Sequence, residues 1–590
     1  MMSEPGSPRR VPAKTLERQP CHERGRRIMR RAIQWWFLTG SVVIFGFVGC
    51  GRDSASDPAS APARYGEMAT DSADYAVEDG SNGGGDLDGP SGEYDTEEYG
   101  IEEYGIEEYD TEEFNTEAYD LIVENEFVDA LQNPKSTFSI DVDTASYSNV
   151  RRMLNAGRLP PAGAVRIEEL INYFRYDYPA PDGEHPFHVA VDVAGCPWTP
   201  DHQLLRVAMK GKTITREEVA GVNLVFLLDV SGSMQSVDKL PLVQSGMQLL
   251  VQQLGPDDRV AMVVYAGASG LALPSTPIRQ SKVILDAIAN LQAGGSTNGG
   301  EGIELAYDVA QAQFVEGGIN RVILCTDGDF NVGVTSQSRL IQLIQDRAQS
   351  GVFLSVLGFG KGNYNDSMME KLADKGNGNY AYIDSLLEAR KVLVEQIGGT
   401  LVTIAKDVKI QIDFNPTRVI AYRLIGYENR LLDNEDFRDD SKDAGELGAG
   451  HTVTALYEIV PAGVESPART SKPSKFVETV PLENVDNDQL LHVSLRYKLP
   501  ESERGREFST PLMHADGDPL PTASTDFQFA ISVATFGMLL RDSKFAGSAD
   551  WGWVIETAEK NLGTDHNGLR AEFVQLAKTA RRISPRTAGD

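Results

Sequence analysis

Residues 224–236, LVFLLDVSGSMQS, run five apolar side chains directly into an aspartate that two serines follow at alternate positions. An uninterrupted apolar run of this kind is typical of a strand buried on both faces of a parallel sheet. Asp229 then ends the strand, and Ser231 and Ser233 lie in the turn before the next helix. Parallel α/β sheets hold their ligands at the carboxyl ends of their strands, so these three oxygen-bearing side chains indicate a ligand site.

The sequence around this stretch alternates between strand and helix patterns from 218 to 400. DRVAMVVYAG, RVILC and VFLSVLGFG have the apolar content of buried strands, and leucine, valine and methionine recur at helical spacing between them. This alternation predicts an α/β domain with a central, mostly parallel sheet and helices on both faces.

The segments on either side have different patterns. Residues 123–217 read as a small α+β domain. Beyond 401, Val408, Ile410, Ile412 and Phe414 alternate as in half-buried antiparallel strands, which predicts a β-sandwich followed by helices up to residue 590. One of those helices, FQFAISVATFGMLL, is apolar nearly all round but too short to span a bilayer, so we expect it to be buried. A chain of 590 residues is too long for one core, in keeping with this multidomain reading.

Two further loops should bring oxygen ligands to the edge of the sheet at which Asp229 lies. The loop GGSTNGG supplies Thr297, and CTDGDFN supplies Asp327 after a later strand. Hydroxyl and carboxylate oxygens are the ligands that Mg²⁺ prefers. The structural alternative is that the serines cap the first helix and Asp229 holds the turn. Asp329 reads equally well as a further acidic ligand or as a loop residue.

The set Asp229, Ser231, Ser233, Thr297 and Asp327 resembles the metal-ion-dependent adhesion site of von Willebrand factor type A (VWA) domains. That pattern is Asp-x-Ser-x-Ser, a distant threonine, and a distant aspartate in a Thr-Asp-Gly context. The resemblance implies a Mg²⁺ site, with Mn²⁺ or Ca²⁺ as alternatives. It implies that the serines, and in some members the threonine, bind the ion directly, that the aspartates act directly or through water, and that a sixth position accepts a carboxylate of a protein partner.

A wider resemblance covers roughly 123–585. STFSIDVDTASYSNVRR, AVRIEELINYF, AYRLIGYENR and GAGHTVTALYEIVP are similar to sequences of the bacterial YfbK-type lipoproteins. Members of that family join an N-terminal companion domain, a VWA domain and a C-terminal β/α domain. Asp141 and Asp143, in the first of these stretches, do not have calcium-loop spacing, and we interpret them as turn and capping residues.

The N-terminal region reads as an export signal. Arginines precede the uncharged stretch 32–49, and Phe47-Val48-Gly49-Cys50 resembles a bacterial lipobox. Residues 1–49 are then a signal peptide, and lipidation of Cys50 would anchor the chain to a membrane of the cell envelope. The alternative is an uncleaved signal anchor, and Met1 and Met29 are both candidate starts. Either reading places the rest of the chain outside the cytoplasm.

Residues 50–122 read as a disordered acidic tether. Its second half repeats every five residues, with aromatic rings at Tyr94, Tyr99, Tyr104, Tyr109, Phe114 and Tyr119. Because acids separate the rings, we interpret the repeat as a solvated, self-repelling spacer. The alternative is a segment that binds a basic partner or, weakly, divalent ions. The net charge of −31 argues against nucleic acid as a partner.

These features favour a non-enzymatic, envelope-anchored module that captures an acidic residue of a partner through a divalent ion. A scaffold subunit of an envelope assembly or transport complex is the alternative. A metal-dependent hydrolase is less well supported, because the sequence lacks a phosphate-binding loop or a nucleophile elbow. After export, Cys196 and Cys325 are the remaining thiols, and the apolar run around Cys325 favours a buried thiol over a disulfide.

Overall fold

The computed structural model describes residues 117–266, 269–295, 300–328, 337–361, 365–396, 402–468, 488–513 and 522–584. These residues belong to one compact unit, Ile106–Asp590. The predicted signal peptide, Cys50, most of the acidic tether, Thr297 and Asp329 lie outside the described residues.

The described residues form seventeen strands. They are β1 Val128–Asp129, β2 Lys135–Ser139, β3 Phe187–Gly195, β4 Gln203–Gly211, β5 Val222–Asp229, β6 Arg259–Tyr265, β7 Ser269–Pro277, β8 Ile319–Thr326, β9 Phe353–Phe359, β10 Tyr380–Ile383, β11 Thr403–Phe414, β12 Val419–Ile425, β13 Leu431–Leu432, β14 Gly445–Gly448, β15 Thr452–Pro461, β16 Gln489–Lys498 and β17 Arg506–Met513.

The same part of the chain contains eleven α-helices. They are α1 Ala145–Asn155, α2 Ile167–Asn172, α3 Leu240–Val251, α4 Ser281–Ala289, α5 Gly300–Ala312, α6 Gln337–Ala348, α7 Asp366–Lys375, α8 Leu386–Arg390, α9 Thr525–Arg541, α10 Trp551–Lys560 and α11 Leu569–Ile583.

The central segment has the predicted α/β architecture. Its six-stranded sheet has the order β10-β9-β8-β5-β6-β7, and every neighbouring pair is parallel except β6 and β7. Strand β5 is buried along its whole length, because Val225 and Leu227 enter one helix-covered core while Leu224, Phe226 and Leu228 enter the other. This two-sided burial explains the uninterrupted apolar run in the sequence.

The two flanking segments share their sheets. One sheet has the order β1-β12-β15-β4-β3, and the other has the order β13-β2-β11-β16-β17 with β14 also on β11. Strand β4 pairs with β15 and strand β2 pairs with β11, so strands from both sides of the central α/β segment, residues 218–400, lie next to each other. The separate domains predicted for 123–217 and 401–590 are therefore corrected to one composite β-sandwich. The α/β segment is inserted between its two halves.

The inner strands of the first of these sheets are buried on both faces. On β4, Leu205, Val207 and Met209 face the second sheet, whereas Leu204 and Ala208 face a helical layer that includes α1, α2 and α9–α11. Helix α9 begins at the cap Ser524, whose hydroxyl accepts the Phe527 N–H, and it is buried along almost its entire length. The prediction of a buried apolar helix at this position is confirmed. Within the described ranges, no helix has the length and apolarity needed to cross a membrane.

Arg430 connects the three segments of the chain through buried ion pairs. Its guanidinium lies 3.3 Å from carboxylate oxygens of Asp141 and of Asp143, 3.0 Å from Glu370 and 2.7 Å from Asp374. The first two acids come from the N-terminal segment, the other two from α7 of the central α/β segment, and the arginine from the C-terminal segment. The planar fork of arginine suits such multiple carboxylate contacts. Asp141 and Asp143 therefore serve a structural role, as predicted, although as ion-pair partners rather than turn residues alone.

Replacing this arginine should destabilise the whole unit. Arg430→Met leaves four acids clustered without their shared cation, and removing one partner of a buried ion pair typically costs about 3–5 kcal/mol. Urea denaturation followed by circular dichroism measures the loss. The matched control Arg438→Met removes an exposed arginine that pairs with Glu507 and should leave the transition unchanged. Equal midpoints for the two variants would contradict the role assigned to Arg430.

Candidate metal centre

Strand register brings three oxygen-bearing side chains together at the carboxyl edge of the parallel sheet. Asp229 pairs with Tyr265 on β6, and Leu228 pairs with Cys325 on β8, which places Thr326 at the level of Asp229. One carboxylate oxygen of Asp229, Oδ2, accepts the hydroxyls of Tyr265 at 3.3 Å and Thr326 at 3.2 Å. Its other oxygen accepts the Ser231 N–H at 2.9 Å. Asp229 is fully buried and held in one orientation by three donors.

The two serines point their hydroxyls at each other. Ser231 Oγ and Ser233 Oγ lie 3.0 Å apart in the turn that follows β5. Ser231 is buried, whereas Ser233 is exposed. The short helix Gly232–Gln235 receives no side-chain cap from Ser231, and α3 begins only at Leu240 after Lys239. The alternative that these serines cap the first helix is therefore not supported.

The loop that carries Thr297 begins beside this turn. Gly294 N–H donates to the Val230 carbonyl at 2.7 Å, and the Gly295 carbonyl accepts the Gly232 N–H at 3.0 Å. These two backbone bonds hold the start of the loop against the Asp-x-Ser-x-Ser turn. Thr297 itself lies outside the described residues.

Asp327 follows Thr326 and is buried at the same edge of the sheet. Lys239 Nζ lies 3.0 Å from Asp327 Oδ2, so an ammonium group already compensates this carboxylate. The lysine stem passes along Gly360, where φ is +74° and a Cβ atom would lie 2.3 Å from the lysine side chain. Glycine is required at this point by both the backbone conformation and the close approach of Lys239.

Burial dominates the electrostatics of Asp229. Desolvation raises its pKa to about 6, the nearby charge of Asp327 acts in the same direction, and hydrogen bonds from Ser231 and Thr326 oppose it. Two buried carboxylates close enough to repel each other are favourable surroundings for a cation. Lys239 supplies one positive charge there, and a divalent ion would supply two more.

The described part of the chain contains two other clusters of three acidic residues whose carboxylate oxygens lie close enough together to share a metal ion. In the group formed by Asp141, Asp143 and Glu370, the guanidinium of Arg430 supplies the cation. In the group formed by Asp407, Asp443 and Glu446, Asp407 pairs with Lys498 and Asp443 pairs with Lys375. The centre at the sheet edge differs from both, because it combines two carboxylates with paired hydroxyls.

Sequence analysis identified four residues that the structure places in this region: Asp229, Ser231, Ser233 and Asp327. It missed Tyr265, Thr326 and Lys239. The first two could have been found, because each ends a buried strand that neighbours β5. Lys239 gives no comparable signal, since a lone lysine before a helix is usually solvated.

Family models match three parts of the chain. Residues 113–206 match a von Willebrand factor model, residues 223–396 match the von Willebrand factor type A domain, and residues 399–583 match the C-terminal region of the uncharacterised protein YfbK. The fold and these matches define a protein with a VWA domain, a module that mediates protein–protein interaction and typically binds divalent metal ions.

The chain is similar to YfbK of Escherichia coli strain K12, with 42% identity over 473 residues that cover 79% of this chain and 81% of that protein. It therefore belongs to the YfbK family. It is also 30% identical to the uncharacterised protein sll0103 of Synechocystis over 33% of this chain and 45% of that one. Inter-alpha-trypsin inhibitor heavy chain H4 of Homo sapiens is 28% identical over 26% of this chain and 17% of its own length. A solved von Willebrand factor type A protein from Catenulispora acidiphila has 14% identity and a TM-score of 0.38, covering 70% of this chain and 93% of that chain.

Lys239 should weaken the binding of a divalent ion beside Asp327. Lys239→Met keeps the unbranched stem against Gly360 but removes the positive charge. Because two like charges a few ångströms apart repel strongly in a partly buried site, we expect Mg²⁺ affinity to rise by about tenfold or more. Isothermal titration calorimetry measures the change. Lys282→Met, which removes an exposed lysine paired with Asp286, is the control and should leave the affinity unchanged. An equal or lower affinity in Lys239→Met would contradict this role.

Proposed function

We propose that this chain is a non-enzymatic, envelope-anchored binding module that captures an acidic residue of a partner protein through a divalent cation. Asp229, Ser231, Ser233, Thr297 and Asp327 would hold the ion. Mg²⁺ is the expected ion, and Mn²⁺ or Ca²⁺ could replace it.

The observation that carries this proposal is the spacing of the two serine hydroxyls. Adjacent ligands of an octahedral Mg²⁺ ion, each at about 2.1 Å from the metal, lie about 3.0 Å apart. Ser231 Oγ and Ser233 Oγ are joined by a hydrogen bond of 3.0 Å, so the two oxygens already have the separation that neighbouring ligands would need. The arrangement thus fits two neighbouring ligands of one small cation, and the residues present suit the ion that the family implies.

The aspartates would have a different role from the serines in holding the ion. Asp229 already accepts hydrogen bonds from Ser231, Tyr265 and Thr326, which favours contact with the ion through water. Its negative charge, together with that of Asp327, would balance the ion electrostatically. When bound, the cation would supply an electrophilic position at the protein surface to which a partner carboxylate can bind. The exposure of Ser233 supports access from solvent at this edge.

The proposed position in the cell rests on the N-terminal sequence. The arginine-rich start, the apolar stretch 32–49 and Cys50 support export followed by lipidation. The VWA segment would then face the periplasm or the exterior and act at the end of the acidic tether. As a variant of the same proposal, the captured partner is another subunit of an envelope assembly, in which case the chain is a scaffold.

The serine hydroxyls should be necessary for binding the ion. In calorimetry on residues 51–590, the parent should bind one Mg²⁺ or Mn²⁺ ion at this centre, and Ser231→Ala/Ser233→Ala should lose at least about tenfold in affinity. Ser236→Ala/Ser245→Ala is the matched control, because both of its hydroxyls lie just beyond the centre and bond to Asp238 and Pro241. Unchanged binding in Ser231→Ala/Ser233→Ala would refute the metal centre.

The partner step is tested separately. A protein captured from envelope extract should be retained by the parent and by the control in Mg²⁺ and released by EDTA. Ser231→Ala/Ser233→Ala should not retain it. Retention that is insensitive to EDTA would mean that the partner binds elsewhere on the chain.

A further inference from the structure

The last unit of the acidic aromatic repeat is bound to the folded protein. Glu117 lies 3.0 Å from the guanidinium of Arg152, and both side chains are more than nine-tenths buried. Ala118 forms a parallel β-bridge with Asn365, just before α7. The boundary predicted between tether and folded protein, at 122–123, places these residues in the tether, whereas the structure places them against α1 and α7.

The residues after Glu117 add an aromatic and an acidic contact. The Tyr119 ring packs against the core between the parallel sheet and its helices. Asp120 lies 3.5 Å from Lys371 Nζ, and its carbonyl lies so close to Gly163 that a Cβ atom there would approach within 2.4 Å. Arg152 also stacks its guanidinium over Tyr382, with 5.4 Å to the ring centroid. We call this surface the repeat groove, defined by Arg152, Gly163, Asn365, Lys371 and Tyr382.

The unit in the groove recurs upstream in the sequence. A glutamate stands two residues before an aromatic ring in Glu97-Glu98-Tyr99, Glu102-Glu103-Tyr104, Glu107-Glu108-Tyr109 and Glu112-Glu113-Phe114, as it does in Glu117-Ala118-Tyr119. Asp110 follows Tyr109 as Asp120 follows Tyr119. The middle position is exposed in the bound unit, so a glutamate there would point into solvent as readily as Ala118 does.

We propose that the repeat groove is a binding site for Glu-x-aromatic units and that upstream units of the same chain exchange with Glu117–Tyr119 in steps of five residues. Each unit offers the groove the same carboxylate and a ring at the same spacing. The acidic repeat thus complements the positive charges of Arg152 and Lys371. This proposal is independent of the metal centre.

The connection to the body of the protein has room for such a shift. Leu121 and Val123 are 86% and 75% exposed, so they contribute little packing. The chain is next fixed at Asn125, whose side-chain amide donates to the carbonyls of Leu424 and Gly426. Residues 120–124 would absorb the slack, and the entropic cost of a longer loop grows only logarithmically with its length.

The consequence is an adjustable tether. Every step moves five residues from the stretch that precedes the groove to the loop that follows it. Five extended residues span about 17 Å, so each step changes the maximal reach of the preceding chain by about that distance. The number of repeats then sets the range of distances between the folded unit and the point at which the N-terminal end of the chain is attached.

Disulfide trapping in the full chain tests the register. Ala118→Cys/Asn365→Cys joins the bridged pair and reports the register seen in the structure, because β-bridge partners lie within disulfide reach. Glu113→Cys/Asn365→Cys and Glu108→Cys/Asn365→Cys report shifts of one and two units. Thr111→Cys/Asn365→Cys is the matched control, since residue 111 lies between the two test positions but is out of phase with the repeat. Cys21 and Cys50 are replaced by serine in every variant, and Cys196 and Cys325 are buried, so that the engineered pair supplies the accessible thiols.

We expect intramolecular disulfides at 113 and 108 to accumulate severalfold faster than at 111. Adding Tyr119→Ala, which weakens the resident unit, should speed trapping at 113 and 108 but not at 111. Trapping that is independent of phase, or absent at both test positions, would overturn the proposal. Phase-dependent disulfides that join two chains would overturn the exchange within one chain and assign the groove to a second copy.

A second set of variants retains Asn365, whose side chain caps α7 by accepting the Met368 N–H. Lys371→Cys stands on the exposed side of α7 and is combined with Asp120→Cys for the resident register, Asp110→Cys for the shifted register and Thr111→Cys as the control. Because the ion pair of Asp120 and Lys371 joins side-chain tips rather than neighbouring Cα atoms, these pairs are joined with a short bis-thiol crosslinker instead of a disulfide. The same order of rates is expected, and faster crosslinking at 111 than at 110 would contradict the five-residue register.

Discussion

The pairing of strands across the VWA segment is the constraint on which the rest of this structure depends. Strand β4 cannot complete its hydrogen bonds until β15 has been made, and the two strands are separated in the sequence by the whole VWA segment. The same holds for β2 and β11. Arg430 adds a charged contact at the junction, where acids from the N-terminal and VWA segments share one guanidinium. The VWA segment is thereby held against a sandwich rather than attached through linkers.

The carboxyl edge of the parallel sheet takes no part in these strand pairings. Asp229 is positioned by hydrogen bonds that arise entirely within the VWA segment, from Ser231, Tyr265 and Thr326. The two serine hydroxyls are turned toward each other rather than toward a helix end. Lys239 balances the charge of Asp327. Under the proposed function, a cation would bind at this edge of the sheet, and a partner would supply part of its coordination.

The sequence predicted the parallel sheet, because an apolar run such as that of β5 has a local cause, burial on both faces. It predicted that Asp229, Ser231, Ser233 and Asp327 lie at one edge of that sheet, because strand ends in such sheets converge. Their role as metal ligands stays a prediction. It could not predict that β4 pairs with β15, since antiparallel periodicity marks a strand but not its partner. Nor could it predict the docking of Glu117 onto Arg152, because a run of acids is solvated in most proteins and only the fold brings a buried arginine to it.

The central claim is that one small cation lies between the two serine hydroxyls at the edge of the sheet. Anomalous diffraction from crystals grown in manganese chloride tests it directly. The account predicts a manganese peak within bonding distance of both Ser231 Oγ and Ser233 Oγ, with Asp229 and Asp327 in its immediate surroundings. Density at that position that belongs instead to the ammonium group of Lys239, with no anomalous signal, would contradict it.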